Sequence, residues 1–381
     1  MSPPLDYRLP WARAYVPRAR RVSERPLILL GPNSYLAGVY GRFIVDNANV
    51  VAVVDDHYRD ATILGVVRWS SDEFRNRAPG IADLLAIDFT GSPLGHAVFA
   101  RLADTVGVEL ADFVEALAEF EQGAVYQTPR QMRERTIARQ PEWESLRDTL
   151  ADDASRAALD AALLLRLTYD RRSLRGAVTS AEDEYFSVLA SDSTFRLRDN
   201  EIFADCGAYV GSTVRKAIAA TDGRFRAIHA FEPDRGSYAE LEKLRALAMP
   251  GIVLHNAAVG DTSGRVRFLE TGTMGSHVAE SSDEGADTPV VRLDDVLDEV
   301  TFIKMDLEGY EQKALRGAAR LIRECRPRMA ITAYHYADDL LDLWRLFEEL
   351  APGYELRLRH HSSYYYDTIY YASPREPARP V

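Results

Sequence analysis

The sequence predicts an α/β protein with two units, each built on an open and mostly parallel sheet. Two observations point to this fold class. Short apolar strands alternate with helical segments, and in each unit a glycine-containing turn is followed by a second strand that ends in acidic residues. The chain has 381 residues, which favours two domains over one.

The first unit is predicted over residues 25–125, after an arginine-rich arm of residues 1–24. Residues 27–30 and 50–54 are apolar and predict buried parallel strands, the second ending at Asp55. Residues 84–87 predict a third strand, and residues 102–120 have apolar positions at helical spacing. The turn after the first strand begins Gly31-Pro32-Asn33-Ser34, and Gly38 and Gly41 lie in the helix expected to follow it. This departs from G-x-G-x-x-G, so we expect a Rossmann-like unit without a cofactor; a site for a nucleotide or part of the substrate is the alternative.

Residues 126–182 are predicted to form a helical linker. Leu146, Leu150, Ala154 and Ala158 recur at every fourth position, which is typical of one face of a helix. Such a face bridges domains or forms a dimer surface, so a homodimer is expected.

The second unit is predicted over residues 183–375, where strands and helices alternate regularly. The last two strands have no helix between them and predict an antiparallel hairpin at the sheet edge. The predicted strands cover residues 202–205, 227–232, 252–257, 302–306, 329–334, 354–359 and 368–372, with a β-rich insert at 266–269 and 290–292. Ligands of such sheets bind beyond the carboxyl ends of the strands, where the candidate residues also fall.

The first two strands of this unit end in residues suited to a nucleoside ligand. Asp205 ends the first strand, and Gly207 and Gly211 then allow a sharp turn into a helix. After the second strand, Glu232 can accept hydrogen bonds from both hydroxyls of a ribose, and Pro233 ends the strand. The alternative for Glu232 is an exposed turn acid.

The third strand ends in residues that fit a flat ring. Asn256 can bind an adenine edge, and Ala257 leaves space for the ring. A plain strand terminus is the alternative.

The fourth and fifth strands end in groups suited to acid–base chemistry. Asp306 and Glu308 could orient an acceptor, contact the amino-acid end of a cofactor or hold a hard cation; helix capping is the alternative. His335 is either structural or catalytic. His360, His361 and Tyr364 are further candidates for substrate contact, although edge packing explains the tyrosine equally well.

Five motifs in order, within about residues 183–373, resemble the FkbM family of methyltransferases. They begin at Phe203 (F-A-D-C-G-A-Y-V-G-S-T), Phe231 (F-E-P-D), Ile303 (I-K-M-D-L-E-G-Y-E), Leu315 (L-R-G-A) and Tyr334 (Y-H). The resemblance implies a seven-stranded class I methyltransferase sheet, S-adenosylmethionine as cofactor and methylation mostly of oxygen. It also implies cofactor contact at Asp205, Gly207 and Gly211, ribose contact at Glu232 and a functional role for Asp306. We further expect cofactor contacts at the neighbouring positions Ala208, Tyr209, Pro233, Asn256 and Ala257. The first unit loosely resembles Rossmann-like modules joined to sugar-modifying enzymes.

We therefore predict an S-adenosylmethionine-dependent O-methyltransferase that acts on a sugar or another polyhydroxylated small molecule. Because a hydroxyl acceptor must lose a proton, His335 is the expected general base, oriented by Asp306. We expect no metal and no sensitivity to chelators. The alternatives are N- or C-methylation on the same fold, a nicotinamide-dependent oxidoreductase that uses the first unit, and a non-catalytic scaffold.

Composition limits the partners and the compartment. The formal net charge of −12 argues against a nucleic-acid partner, and no apolar run approaches the length of a membrane span. Cys206 and Cys325 are the two cysteines, too few for a disulfide framework, so the cytoplasm is expected. Cys206 is expected to be a buried filler.

Overall fold

The structure is a computed structural model that describes residues 4–16, 21–31, 40–90, 93–119, 129–187, 195–270, 275–278 and 285–375. The chain forms two compact units. The first comprises Met1–Gln140, Asp160–Gly176 and Ser363–Tyr365, and the second Pro141–Leu159, Ala177–Ser362 and Tyr366–Val381. The segment 126–182, predicted as one linker, is thus divided between the two units.

The first unit has a six-stranded sheet in the order β3-β4-β2-β1-β5-β6. Its neighbouring strands are parallel except β3 and β4, which are antiparallel. The strands are β1 (Leu27–Leu30), β2 (Val50–Val54), β3 (Thr62–Ile63), β4 (Val66–Trp69), β5 (Leu85–Asp88) and β6 (Glu109–Asp112). The helices are α1 (Arg42–Asn47), α2 (Ser71–Arg77), α3 (Pro93–Val106), α4 (Phe113–Glu119) and α5 (Pro129–Ala138).

Alternate residues of β1 enter two different cores, as expected for a strand that is covered on both faces. Leu27 and Leu29 belong to one hydrophobic cluster, and Ile28 and Leu30 to another. Gly31 follows with φ +69°, and a Cβ there would lie 2.6 Å from the Phe99 ring. Packing against α3 therefore explains this glycine; Pro32, Asn33, Ser34 and Gly38 lie outside the described residues.

The helical spacing of residues 102–120 was misleading, because the structure interrupts this segment with a strand. Helix α3 ends at Val106, Gly107 takes up the left-handed conformation with φ +69°, and β6 and α4 follow. A left-handed glycine is a common way to end a helix. Strand β6 has only four residues, of which the last three are buried in succession, so it has no alternating pattern by which to recognise it.

Two further helices, α6 (Gln140–Thr149) and α7 (Asp153–Thr168), precede the second unit's main sheet. This sheet has seven strands in the order β16-β17-β15-β14-β7-β8-β9. They are β7 (Glu201–Cys206), β8 (Phe225–Phe231), β9 (Ile252–His255), β14 (Phe302–Met305), β15 (Arg328–Thr332), β16 (Tyr354–His360) and β17 (Thr368–Pro374). All pairs are parallel except those of β17, which runs antiparallel to both β15 and β16. The predicted seven-stranded sheet with a C-terminal hairpin is confirmed.

The predicted β-rich insert is a separate four-stranded sheet in the order β10-β13-β11-β12. Its strands are β10 (Ala258–Val259), β11 (Gly264–Leu269), β12 (His277–Val278) and β13 (Ala286–Val291). The helices of the second unit are α8 (Ser212–Ala220), α9 (Arg235–Leu241), α10 (Leu293–Val296), α11 (Glu311–Arg316), α12 (Ala319–Cys325) and α13 (Asp339–Leu350). Helices follow β7, β8, β14 and β15, so the loops at these strand ends lie along one edge of the sheet.

Among the described residues, no helix is both long and apolar enough to cross a membrane.

Candidate active site

The parallel pairing of β14 with β7 places two of the predicted motifs side by side. Lys304 lies opposite Asp205, and Met305 lies opposite Cys206. On the other side of β7, Cys206 lies opposite Phe231 of β8. The loops after β7, β8, β14 and β15 therefore begin at the same edge of the sheet.

The turn between β7 and α8 has the backbone that its glycines predict. Gly207, Tyr209 and Gly211 have φ values of +80°, +48° and +85°. A Cβ on Gly207 would lie 2.0 Å from the carbonyl oxygen of Asp306, so only glycine fits against the loop after β14. A Cβ on Gly211 would lie 2.9 Å from side chains of Leu241 and Leu244, which agrees with close packing of helices at this position.

Glu232 connects the loop after β8 to this turn. Its Oε2 accepts a hydrogen bond from the Tyr209 N–H at 2.7 Å, and its Oε1 accepts one from the Asp234 N–H at 2.8 Å. Burial raises the pKa of Glu232 to about 7, against the opposing effect of these two hydrogen bonds. Two backbone N–H groups thus hold the carboxylate in place, while its burial favours the protonated form.

Asn256 and its neighbours complete the region predicted to hold a nucleoside. The Asn256 amide donates to the carbonyl oxygen of Glu232 at 2.9 Å, and the residue is otherwise exposed. Ala208, Pro233 and Ala257 are buried around this region. The structure thus brings together the ends of β7, β8 and β9, as the sequence predicted.

Asp205 is at odds with the prediction that it contacts a cofactor, because its side chain is fully buried. Its Oδ1 lies 3.2 Å from the ammonium nitrogen of Lys304 on β14. Lys304 is also buried, and it donates to the carbonyl oxygen of Gly207 at 2.7 Å. The pair supports the glycine turn from inside the sheet. Cys206 is fully buried next to it, as predicted for a filler.

Asp306 and His335 lie together after two neighbouring strands, β14 and β15. Nε2 of His335 is 3.6 Å from Oδ1 of Asp306 and 3.6 Å from Oε2 of Glu308. The Tyr185 hydroxyl donates to the other Asp306 oxygen at 2.7 Å, and the Tyr334 hydroxyl lies 3.4 Å from Oδ1. The structure therefore joins the predicted acidic pair to the predicted histidine.

The charge around His335 bears on its predicted role as a general base. Burial by itself would lower the pKa of His335, but the carboxylates of Glu311, Asp306 and Glu308 outweigh it and raise this pKa to about 10. In the site without ligands, the imidazole thus carries its proton at neutral pH. The role of His335 as general base stays a prediction. It requires that His335 lose this proton once the cofactor and the acceptor are bound.

The remaining histidine candidates have structural partners. His360 is 1% exposed and its Nδ1 lies 2.8 Å from the Thr368 hydroxyl. His361 is 3% exposed, with Nδ1 2.9 Å from the Ser180 carbonyl oxygen and Nε2 2.7 Å from the Tyr371 hydroxyl. This burial argues against substrate contact by either residue.

Tyr364 groups with the first unit, where its ring lies 5.3 Å from the guanidinium carbon of Arg171. The contact explains Tyr364 by packing. Tyr366 instead groups with the second unit, where its ring lies 6.3 Å from that of Tyr334.

Sequence reasoning missed the roles of Lys304 and Glu311. Lys304 stood within a motif but carried no assignment, although a lysine in an otherwise apolar strand signals a buried partner. Glu311 opens α11, and its Oε1 accepts a hydrogen bond from the Leu307 N–H at 2.6 Å. The same oxygen lies 3.4 Å from Nδ1 of His335, a contact that no sequence pattern indicates.

Residues 205–356 match the protein family described as the methyltransferase FkbM domain. The chain is also similar to the crystal structure of methyltransferase FkbM from Methylobacillus flagellatus KT, with 28% sequence identity and a TM-score of 0.75. That similarity covers 92% of this chain and 90% of the other. No curated protein matches the chain.

Two weaker structural similarities cover about half of the chain. An rRNA methylase from Streptococcus thermophilus has 14% identity and a TM-score of 0.32, over 48% of this chain and 90% of that one. A putative methyltransferase from Streptococcus mutans, in complex with SAH, has 12% identity and a TM-score of 0.32, over 46% of this chain and 90% of that one.

Proposed function

We propose that this chain, whose residues 205–356 match the FkbM methyltransferase domain, transfers the methyl group of S-adenosylmethionine to a hydroxyl of a sugar or another polyhydroxylated small molecule. The family implies a cofactor of the S-adenosylmethionine type. The observation that carries the proposal is the meeting of two groups at one sheet edge: Glu232 beside the glycine turn, and Asp306 beside His335.

The residues after β7, β8 and β9 fit the cofactor. Glu232 already accepts hydrogen bonds from two loops, and each carboxylate oxygen has a further lone pair for a ribose hydroxyl. Asn256 is exposed next to the buried Ala257, which suits the edge of a flat base. We assign the cofactor to these residues and to the turn at Gly207, Ala208, Tyr209 and Gly211. When bound, the cofactor supplies an electrophilic methyl group on its sulfonium.

The acceptor hydroxyl is assigned to Asp306 and His335, next to the cofactor turn. Holding an acceptor in line with a methyl group lowers the barrier by up to about 7–11 kcal/mol. A positioned proton acceptor adds roughly 10²–10⁴-fold, and we assign this role to the Asp306–His335 pair, with His335 taking the proton. Tyr185 and Tyr334 flank the pair, and Tyr366 lies beside Tyr334; these tyrosines suit a hydroxylated acceptor.

Calorimetry with S-adenosylmethionine and with NAD tests the cofactor. We expect saturable binding of the former and none of the latter; binding of NAD alone would contradict the proposal. A panel of hydroxylated acceptors, with SAH formation as the readout, then tests turnover and separates an enzyme from a non-catalytic scaffold. Product mass spectrometry and NMR locate the methyl group on oxygen, nitrogen or carbon.

Substitution of His335 tests the acceptor site. We expect His335→Ala to reduce turnover about 100-fold or more while SAH affinity stays the same, because the residue lies on the acceptor side. Wild-type turnover in the variant would remove His335 from the mechanism. Parallel loss of SAH binding and turnover would instead indicate a structural role.

A further inference from the structure

Asp306, Glu308 and His335 form a compact set of oxygen and nitrogen ligands. One ligand atom from each lies within 4.8 Å of the other two, and His335 Nε2 is 3.6 Å from both carboxylate oxygens. This separation exceeds the roughly 2.7–3.2 Å of an N–H···O hydrogen bond. Neighbouring ligand atoms about 2.0–2.2 Å from a six-coordinate cation lie about 2.8–3.1 Å apart, so a shared metal ion would draw these ligand atoms together by about 0.5 Å.

The groups behind these ligands have the arrangement found around metal centres. Glu311 Oε1 lies 3.4 Å from Nδ1 of His335, on the opposite side of the ring from Asp306 and Glu308. Glu311 itself accepts from the Leu307 N–H and the Thr332 hydroxyl, at 2.6 and 3.1 Å. A carboxylate on one imidazole nitrogen directs the other nitrogen towards a metal. Tyr185 similarly holds Oδ2 of Asp306 and leaves Oδ1 on the side of His335.

The backbone after β14 directs Glu308 into the same set. Glu308 has φ +54°, a left-handed conformation that costs free energy for a residue with a side chain. Gly309 follows with φ +93°, where a Cβ would lie 2.3 Å from the Tyr336 ring. In this conformation, Oε2 of Glu308 lies 3.6 Å from Nε2 of His335.

We propose that Asp306, Glu308 and His335 bind a divalent cation of the Mg²⁺ or Mn²⁺ class. The two carboxylates suit such hard, six-coordinate ions, and the imidazole favours the transition metal Mn²⁺ over Mg²⁺ within this class. Three protein ligands leave about three positions for water or acceptor oxygens. The side chains of Asp306 and Glu308 are 22% and 20% exposed, whereas that of His335 is 1% exposed, so the open positions face away from the imidazole.

This proposal rests on the proposed function and adds a substrate requirement to it. An acceptor with two neighbouring oxygens fills two of the open positions, as a polyhydroxylated molecule can. A hydroxyl bound to a divalent cation loses its proton more easily. Its O–H bond breaks, the electron pair stays on oxygen, and the proton leaves to solvent. The cation then activates the hydroxyl and His335 acts as its ligand, which replaces the role of proton acceptor that the proposed function gives to His335.

The proposal replaces our expectation from the sequence that no metal binds. That expectation considered Asp306 and Glu308, which lie two positions apart and are common as capping residues. The structure adds His335 from the next strand, together with Glu311 behind it.

Titration of the full chain with Mn²⁺ after removal of metals by chelator tests the site directly. The electron paramagnetic resonance signal of free Mn²⁺ measures binding without any need for turnover. We expect one saturable site per chain, weakened at least about tenfold by Asp306→Asn and by Glu308→Gln. Glu324→Gln, on the exposed side of α12, is the matched control and should bind like wild type. Calorimetry with SAH and circular dichroism establish that each variant is folded.

Two outcomes would overturn the proposal: no saturable Mn²⁺ site in the folded wild-type protein, or equal binding by Glu308→Gln and Glu324→Gln. Methyl transfer that proceeds in chelator would be a third such outcome, because it would remove the role of the cation while leaving the proposed function standing. Saturable Mn²⁺ binding that depends on Glu308, without S-adenosylmethionine binding or turnover, would leave the site standing and refute the proposed function.

Discussion

Glu232 shows how one buried side chain can connect local chemistry to ligand binding. Its carboxylate accepts two backbone N–H groups, yet burial raises its pKa to about 7. Near neutral pH, the ligand-free site is therefore divided between the protonated and the ionised form. Ribose hydroxyls donate best to the ionised form, so binding and deprotonation of Glu232 are coupled.

We expect the SAH affinity of the wild-type protein to increase as the pH rises from about 6 to about 8, through the pKa of Glu232. At the lower pH, Glu232 must lose a proton before it can accept hydrogen bonds from the ribose hydroxyls, and this loss weakens binding. Above the pKa, Glu232 is already ionised, so binding requires no loss of a proton. Calorimetry across this pH range measures the slope.

Glu232→Gln should bind SAH at least about tenfold more weakly, because hydrogen bonds to a charged acceptor contribute about 1.5–3 kcal/mol each. The variant should also lose the pH dependence. Glu240→Gln on α9 is the control, since its side chain is 53% exposed and paired with Lys243. A pH slope that survives in Glu232→Gln would assign the coupling to another group.

The loop between β7 and α8 is the element on which the cofactor site depends. Gly207 is held by the approach of the Asp306 carbonyl, and the Gly207 carbonyl is held by Lys304. Both contacts come from β14 or the loop after it, about a hundred positions further along the chain. The turn is thus supported from within the sheet, and the glycine is required by packing as well as by its positive φ.

Gly207→Ala and Gly223→Ala separate these two effects. Both glycines have positive φ, at +80° and +72°, so both substitutions introduce about 1–2 kcal/mol of backbone strain. The new Cβ at position 207 meets a backbone carbonyl at 2.0 Å, whereas at position 223 it meets the end of the flexible Met249 side chain at 3.3 Å.

We therefore expect Gly207→Ala to lose most SAH affinity and Gly223→Ala to lose stability with SAH affinity unchanged. Urea unfolding and calorimetry measure the two quantities. Equal SAH affinity in both variants would show that the turn at Gly207 tolerates displacement and does not position the cofactor.

The strands differ in how well their local sequence predicts their bounds. Strands β1 and β2 are continuous apolar runs, and their predicted bounds match the structure. Strand β6 was missed, because it has only four residues between two helices and begins and ends with an acidic residue, Glu109 and Asp112. Short strands of this kind depend on pairing with a neighbour, here β5, and pairing is not a property of the local sequence.

At the scale of the whole molecule, charge bears most directly on the choice of partner. The formal net charge is −12, and the proposed acceptor site adds the carboxylates of Asp306, Glu308 and Glu311 around a single histidine. A phosphate backbone would be repelled by both. This favours a small hydroxylated acceptor over RNA or DNA.

We expect no saturable binding of RNA or DNA oligonucleotides at about physiological salt, where Lys and Arg contacts to phosphate normally supply the affinity. Fluorescence anisotropy with labelled single- and double-stranded oligonucleotides measures this. Tight binding that weakens steeply with added salt would contradict the expectation and direct attention to the arginine-rich N-terminal arm.

The sequence by itself determined the alternation of apolar strands and helices, the two sheets, and the motifs that mark a methyltransferase. These are local properties, since burial periodicity and turn chemistry lie within a few neighbouring residues. It also supplied every residue type of the candidate site. Which of those residues meet was decided by the tertiary structure.

Pairing of β14 with β7 buries Asp205 against Lys304, and pairing with β15 brings His335 to Asp306 and Glu308. The order of strands in the sheet determines which of these distant residues come into contact. Burial and the neighbouring carboxylates then determine whether each residue is charged. For that reason the site could be located from the sequence, whereas the support of the glycine turn by Lys304 and the assembly of a ligand set around His335 could not.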